Sequence, residues 1–197
     1  GEVPLITSVD VQNIPKTPAA ETYAQIASDL QKAISLLPNQ TYSAVASGHA
    51  TKWAAQALLG RVFLFYTGYY AKADLPLVEG GSISKTQVLQ ELDDCIKNSG
   101  HDLVSDFRNL WPYTNTYTAK DYPYVKDNNL QWEGNGNKET VFAVKFGTIA
   151  DWGTDYQLGY TNQYLLHFGL RSNNGQQGTF PFGQGWGAGP VNSNLWN

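Results

Sequence analysis

Sulfur is nearly absent from this chain: it has one cysteine, Cys95, and no methionine in 197 residues. A single cysteine rules out a disulfide within the chain and a cysteine-rich metal site. Cys95 falls in the apolar-periodic run V-L-Q-E-L-D-D-C-I, so it is expected as a small buried residue. The chain opens on Gly1 without a methionine and stops at Asn197 inside a patterned segment, so it is read as an excerpt of a longer protein. Charge is also sparse. Charged residues are 15% and the net charge is −4, which lacks the basic field that a nucleic-acid partner needs. Long apolar runs are missing too. Val62 to Tyr66 is broken by Thr67 and Gly68, far short of the ~20 residues of a membrane span.

What the chain does have divides near residue 110. Residues 1–110 are patterned as helices. Thr17 is the expected N-cap of the first, with Pro18 at its first position. Tyr23, Ile26, Ala27, Leu30, Ala33, Ile34 and Leu37 recur at helical spacing, and Pro38 ends the run. A second helix, about Thr51 to Tyr66, reads W-A-A-Q-A-L-L-G-R-V-F-L-F-Y. It is apolar on most of its circumference, the mark of a helix buried on several sides. Its Ala54, Ala55, Ala57 and Gly60 permit close helix approach. Trp53 is expected in the core. A third helix is announced by Ser84-Lys85-Thr86-Gln87, the S-x-x-Q capping box. Val88, Leu89, Leu92 and Ile96 form its expected stripe, and Gly100 its left-handed stop. Helices two and three look like an antiparallel tetratricopeptide-type pair, with Leu59-Gly60 and Phe63 matching part of that repeat's pattern. The first helix is expected alongside.

Residues 111–197 are loop-rich and hold five of the six tryptophans. One strand is expected there, Glu139 to Phe146, from its alternating pattern. The run Phe180 to Trp196 packs two Phe, two Trp, two Pro and four Gly into seventeen residues, and is expected as a loop. Long loops with this aromatic content point to function rather than disorder.

Several segments in order resemble the SusD/RagB family of outer-membrane glycan-binding lipoproteins of Bacteroidetes. They are V-P-L-I-T at 3–7 and Y-A-Q-I-A-S-D-L-Q-K-A from Tyr23 to Ala33, with Leu37-Pro38. G-H-A-T-K-W-A-A-Q-A-L-L-G-R-V-F-L-F follows from Gly48 to Phe65. Ser99 to Leu103 with Leu110-Trp111, Asn137 to Val144, and the Gly- and Trp-rich Gly185 to Asn192 complete the set. The resemblance implies a mainly α fold of tetratricopeptide-like helical pairs, with long aromatic and Gly-rich loops and a minor β component. Both regimes would then belong to one incomplete SusD-like domain. It implies non-enzymatic glycan binding at the cell surface, with no cofactor. It also implies delivery to a TonB-dependent, SusC-like outer-membrane transporter. Membrane attachment would come through a lipid anchor outside this chain.

Sugar rings are held by flat aromatic faces, with planar polar groups reading hydroxyls at the edges. Trp132, Trp152, Tyr156, Tyr160, Trp186 and Trp196 are the aromatic candidates. Trp152 leads, because A-D-W-G-T-D-Y is an acidic, Gly-broken loop with little apolar neighbourhood. Trp186, between two glycines, suits display and tight tucking equally. Asp151, Asp155, Asn162, Gln163, Arg171, Asn173 and Asn174 are the edge candidates; Asp151, Asp155, Asn162 and Arg171 go with Trp152, Tyr156, Tyr160 and Trp186 as the expected glycan site. Asp121, Asp127, Asn128, Asn129 and Glu133 lack the D-x-D-x-D-G spacing of a calcium loop, so no metal is expected. No H-E-x-x-H or G-x-S-x-G occurs, and nothing fixes a carboxylate pair among Glu133, Glu139, Asp151 and Asp155. Two other classes stay open: a protein-binding scaffold using the aromatics as anchors, and a glycoside hydrolase.

Overall fold

In the computed structural model the residues described are 2–9, 13–46, 48–110, 123–144 and 193–196. Helix α1 spans Ala19–Leu36. It begins one residue later than expected, and its cap is Pro18 rather than Thr17. Thr17 is committed elsewhere. Its amide donates to the Val3 carbonyl at 2.9 Å, and its Oγ1 accepts from the Leu5 amide at 3.2 Å. The helix ends where Leu37 turns extended ahead of Pro38, whose ring disfavours a helical predecessor.

Helix α2 spans Lys52–Tyr69, a turn further than the sequence indicates. Thr51 caps it, its Oγ1 accepting from the Ala54 amide at 3.1 Å. At the other end the Thr67 hydroxyl donates to the Phe63 carbonyl at 2.8 Å, so a β-branched polar residue is satisfied within the helix. Gly68 follows without breaking it.

The segment between α2 and the next helix, a connector of mixed character in the sequence, contains the β component. Strands β1 (Leu75–Pro76) and β2 (Ser82–Ile83) pair antiparallel, Leu75 opposite Ile83. Gly80 and Gly81 between them have φ of +90° and +77°, a turn that only glycine adopts without strain. Both Leu75 and Ile83 are buried against the helices.

Helix α3 spans Lys85–Asn98 and carries the full capping box. The Ser84 hydroxyl accepts from the Gln87 amide, and the Gln87 side chain accepts from the Ser84 amide. Gly100 at φ +77° follows. Half of the expected stripe is corrected. Val88 is buried and Leu92 packs on the core, but Leu89 and Ile96 are 53% and 74% exposed. The two residues stand outside the core that α3 shares with α2.

The three helices run antiparallel in turn. Tyr23 near the start of α1 meets Tyr66 and Tyr70 at the end of α2, with ring centroids 4.9 and 5.7 Å apart. At the other end of α2, Trp53 reaches α3: the Cys95 thiol lies 3.9 Å from its carbonyl. The core is Ala27, Leu59, Phe63, Tyr66, Leu75, Ile83 and Val88. Trp53 is 1% exposed and its indole N–H donates to the Gln40 carbonyl at 2.8 Å. Cys95 is half-buried rather than buried, and that burial raises its thiol pKa.

Two compact units emerge. The first is Gly1–Leu103 with Lys138–Ala143, and the second is Val104–Asn137 with Val144–Asn197. In the first unit, the Lys138 carbonyl accepts from the Asp102 amide at 3.1 Å and bonds His101 Nδ1 at 2.8 Å. A carbonyl cannot donate, so Nδ1 carries the proton. The His101 ring stacks on Tyr42 at 4.4 Å.

The strand expected over Glu139 to Phe146 is corrected. Residues 139–144 are turn and irregular chain, and 145–146 lie outside the described residues. Alternation alone does not make a strand without a partner edge. The loop expected over Phe180 to Trp196 is corrected at its end, where Ser193–Trp196 form a short helix past the last Gly and Pro. The described fold is mainly α.

Candidate functional site

Asp151, Trp152, Asp155, Tyr156, Tyr160, Asn162, Arg171 and Trp186 all lie outside the described residues. Trp196 closes the helix Ser193–Trp196, and its side chain is likewise outside them. Of the sequence candidates, Trp132 is the one whose surroundings are described.

Trp132 belongs to the second unit, where two short described pieces precede it in the chain. One is a 3-10 turn, Phe107–Leu110. The other starts with α4, Pro123–Asp127, opened by a proline at its first position. Asn129, at φ +50°, then reverses the chain, a conformation Asn tolerates better than most residues. Val125 and Leu130 are both 4% exposed and form a small apolar anchor.

Polar side chains tie these pieces together. Asp106 opens the turn, its Oδ1 accepting from the Arg108 amide at 3.0 Å. Its carboxylate also takes the Arg108 fork, with Nε to Oδ1 at 3.0 Å and Nη2 to Oδ2 at 2.8 Å. The Arg108 guanidinium holds the Asp106 carboxyl below the usual carboxylate range. Asp106, and after it the Tyr124 hydroxyl, push the guanidinium pKa upward in return. Arg108 Nη1 donates across to Asn128 Oδ1 at 2.9 Å.

Asn109 holds the backbone on either side of Trp132. Its Oδ1 accepts from the Gln131 amide at 3.0 Å, and its main-chain carbonyl accepts from the Glu133 amide at 2.9 Å. Gln131 and Glu133 are exposed, Leu130 is buried and Trp132 is half-buried. Sequence reading missed Asp106, Arg108 and Asn109. The signal was present in D-F-R-N, where an Asx residue begins a turn.

Two clefts are lined by described residues of the first unit. One, about 750 Å³, lies between α1 and the hairpin turn and is lined by Gln25, Ser28, Asp29, Lys32, Val78 and Glu79, among others. The other, about 600 Å³, is mostly apolar, with Leu30, Leu37, Ala54, Leu58, Arg61 and Phe142 among its walls. Further along α2, Phe65 and Tyr69 are 52% and 74% exposed and lie 5.4 Å apart in near-parallel planes. Among the described residues no cluster of three His, Cys, Asp or Glu is placed to hold a metal ion. Among them, too, no helix is long and apolar enough to cross a membrane.

The SusD-like family model described as "Starch-binding associating with outer membrane" matches residues 1–64, which contain α1 and the first part of α2. That match spans about a third of the chain, and it is residues 1–64 that are similar to the family. The chain's fold is similar to a solved structure described as a crystal structure with xylogluco-oligosaccharide, at a TM-score of 0.56 and 21% identity. The match covers 86% of this chain and 30% of that one, so the chain spans about a third of its structural relative. No curated protein matches it.

Proposed function

We propose that this chain is the part of a cell-surface protein that binds oligo- or polysaccharide without cleaving it. The observation that carries the reading is the family match over residues 1–64, supported by the fold likeness to a structure holding a xylogluco-oligosaccharide. In this reading Trp152, Trp186, Tyr156 and Tyr160 stack on pyranose faces. Asp151, Asp155, Asn162 and Arg171 read the hydroxyls. Binding by aromatic faces and neutral hydrogen bonds needs no general acid and no nucleophile. The finer proposals follow from the same reading: an outer-membrane location, a lipid anchor beyond this chain, and transfer of the glycan to a TonB-dependent, SusC-like transporter.

Isothermal titration with a panel of oligosaccharides tests the reading. Heat of binding that persists without any release of reducing sugar supports it. A folded protein that binds none of them, or that cleaves one, overturns it.

A protein-binding scaffold is the second reading, and one observation favours it. Leu58, Phe65 and Tyr69 are exposed on one side of α2, the kind of face that aromatic interface anchors occupy. Capture of the transporter in the absence of glycan, lost on Tyr69→Ala, would move the weight to it.

A further inference from the structure

We infer that Asn135–Gly136 is a site of self-modification: a turn that closes a succinimide, converts Asn135 to aspartate and isoaspartate, and so loosens the point where the chain re-enters the first unit at Lys138. The chemistry is independent of any bound ligand.

Asparagine is among the thermolabile residues, and its fate depends on the residue after it and on local freedom. Asn135 is the one asparagine among the described residues that glycine follows. It is exposed and forms a turn with Gly136. Asn137 Nδ2 donates to the Gly134 carbonyl at 3.0 Å, which ties the two ends of the turn together. Gly134 and Gly136 have φ of +89° and +74°, and a Cβ added to Gly134 would meet nothing within 4 Å. Among the described residues no hydrogen bond occupies the Gly136 amide or the Asn135 side chain. Both reacting groups are therefore free, and Gly136 brings no Cβ to obstruct their approach.

Asn98 and Asn128 show the opposite treatment. Asn98 Nδ2 donates to Asp94, and the Ser99 amide after it donates to the Cys95 carbonyl at 3.1 Å. Asn128 accepts from Arg108 and donates to the Tyr124 carbonyl, and the Asn129 amide after it donates to the Lys126 carbonyl at 3.1 Å. There the following nitrogen is already committed and the side chain is held away from it.

The step needs only water. The Gly136 nitrogen attacks the Asn135 side-chain carbonyl carbon, and the new C–N bond closes a cyclic imide. The side-chain nitrogen leaves as ammonia, taking up the proton that the Gly136 nitrogen gives to solvent. Water then opens the ring at either carbonyl, giving aspartate or isoaspartate at 135. Nothing is oxidised or reduced. Isoaspartate routes the main chain through its own methylene, so the backbone lengthens within the span that the Asn137–Gly134 bond closes. A carboxylate is also added to a stretch that already carries Glu133 and Glu139. Lys138 follows directly, and its carbonyl accepts from the Asp102 amide at 3.1 Å and from His101 Nδ1 at 2.8 Å. With the turn lengthened, that carbonyl is held less firmly, and the Asp102 amide opens to solvent more often.

The test incubates the full chain at mildly alkaline pH. Peptide mapping by mass spectrometry follows the exchange of the side-chain amine for a hydroxyl, and isoaspartyl methyltransferase labels the isomer. The map separates Asn135 from the other Asn-Gly pair, Asn174–Gly175. A synthetic peptide spanning 131–138 measures the same chemistry without the fold. Asn135 in the protein is expected to convert at a rate close to that of the peptide, while Asn98 and Asn128 stay intact, and Asn135→Gln is expected to abolish conversion at that position. A protein that keeps Asn135 intact while the peptide converts overturns the inference, because the turn then protects what it is argued to expose. Hydrogen exchange of the Asp102 amide reads the effect on re-entry, measured in Asn174→Gln so that Asn135 alone can convert. Aged protein should exchange faster than fresh protein there, and Asn135→Asp, which adds the charge without the extra backbone carbon, should stay close to fresh protein. Equal exchange in aged and fresh protein overturns the link to Lys138.

Discussion

The Lys52 ammonium lies 2.7 Å from Asp94 Oδ2, joining the first turn of α2 to the last turns of α3. Asp94 also accepts from Gln56 Nε2 at 2.8 Å and from Asn98 Nδ2 at 2.7 Å. These bonds, Lys52 first, lower its pKa to about 2. A carboxyl whose folded pKa is depressed stabilises the fold above its unfolded pKa, and that contribution fades as pH falls through the folded value. The melting temperature is therefore expected to drop between about pH 4 and pH 2. Asp94→Asn should flatten that part of the profile. An unchanged slope in the variant would refute the assignment.

Gln56 is fully buried, and its amide nitrogen bridges Glu91 at 2.7 Å and Asp94. Removing it leaves two carboxylates facing each other at the α2–α3 contact with one donor fewer. Gln56→Ala should destabilise the protein by about 1–3 kcal/mol in urea unfolding. Gln56→Glu should be worse at pH 7 and recover as the pH is lowered, because it adds a third carboxylate.

At Gly60 of α2 the backbone lies close against Leu92 of α3. A Cβ built there would stand 3.1 Å from Leu92 Cδ2. Alanine gains up to about 1 kcal/mol of helix propensity and loses some of it to crowding, so Gly60→Ala should be nearly neutral. Gly60→Leu cannot be absorbed by a shift of one side chain and should cost about 1–3 kcal/mol. Thermal melts of the two variants give the comparison.

Trp53 fills the core at the start of α2 and spends its indole N–H on the Gln40 carbonyl. Trp53→Ala should cost about 3–5 kcal/mol. Trp53→Phe keeps most of the volume and leaves the Gln40 carbonyl without that donor, so it should cost less, on the order of 1–2 kcal/mol. Equal losses in the two variants would mean that the bond, not the packing, dominates.

The helices were legible because their signals are local. The Ser84–Gln87 capping box, Gly100 and the apolar spacing of α1 each act within a turn or two, and the chain obeys them. What escaped depends on partners distant in sequence. Thr17 has the side chain of an N-cap, but the Val3–Leu5 segment claims it. Ile96 continues a helical stripe, yet α2 covers the other side of α3. Glu139 to Val144 alternates like a strand without pairing as one. The two-residue strands of the hairpin are shorter than any periodicity can register. For the site, composition pointed to aromatic loops. The residues framing Trp132 were hidden because Asn109 and Gln131 stand far apart in the chain and meet only through a turn and a left-handed Asn.

The carbonyl of Lys138 has a consequence for how this protein can change. It takes bonds from His101 and Asp102, just before the chain enters the second unit, and itself lies just after the chain comes back. The stretch 104–137 thus leaves and re-enters the first unit at neighbouring points, joined by these bonds and by the Lys138–Asp102 ion pair at 3.8 Å. Such a stretch is a cassette. Insertions or deletions within it would begin and end at these two neighbouring, hydrogen-bonded points of the first unit.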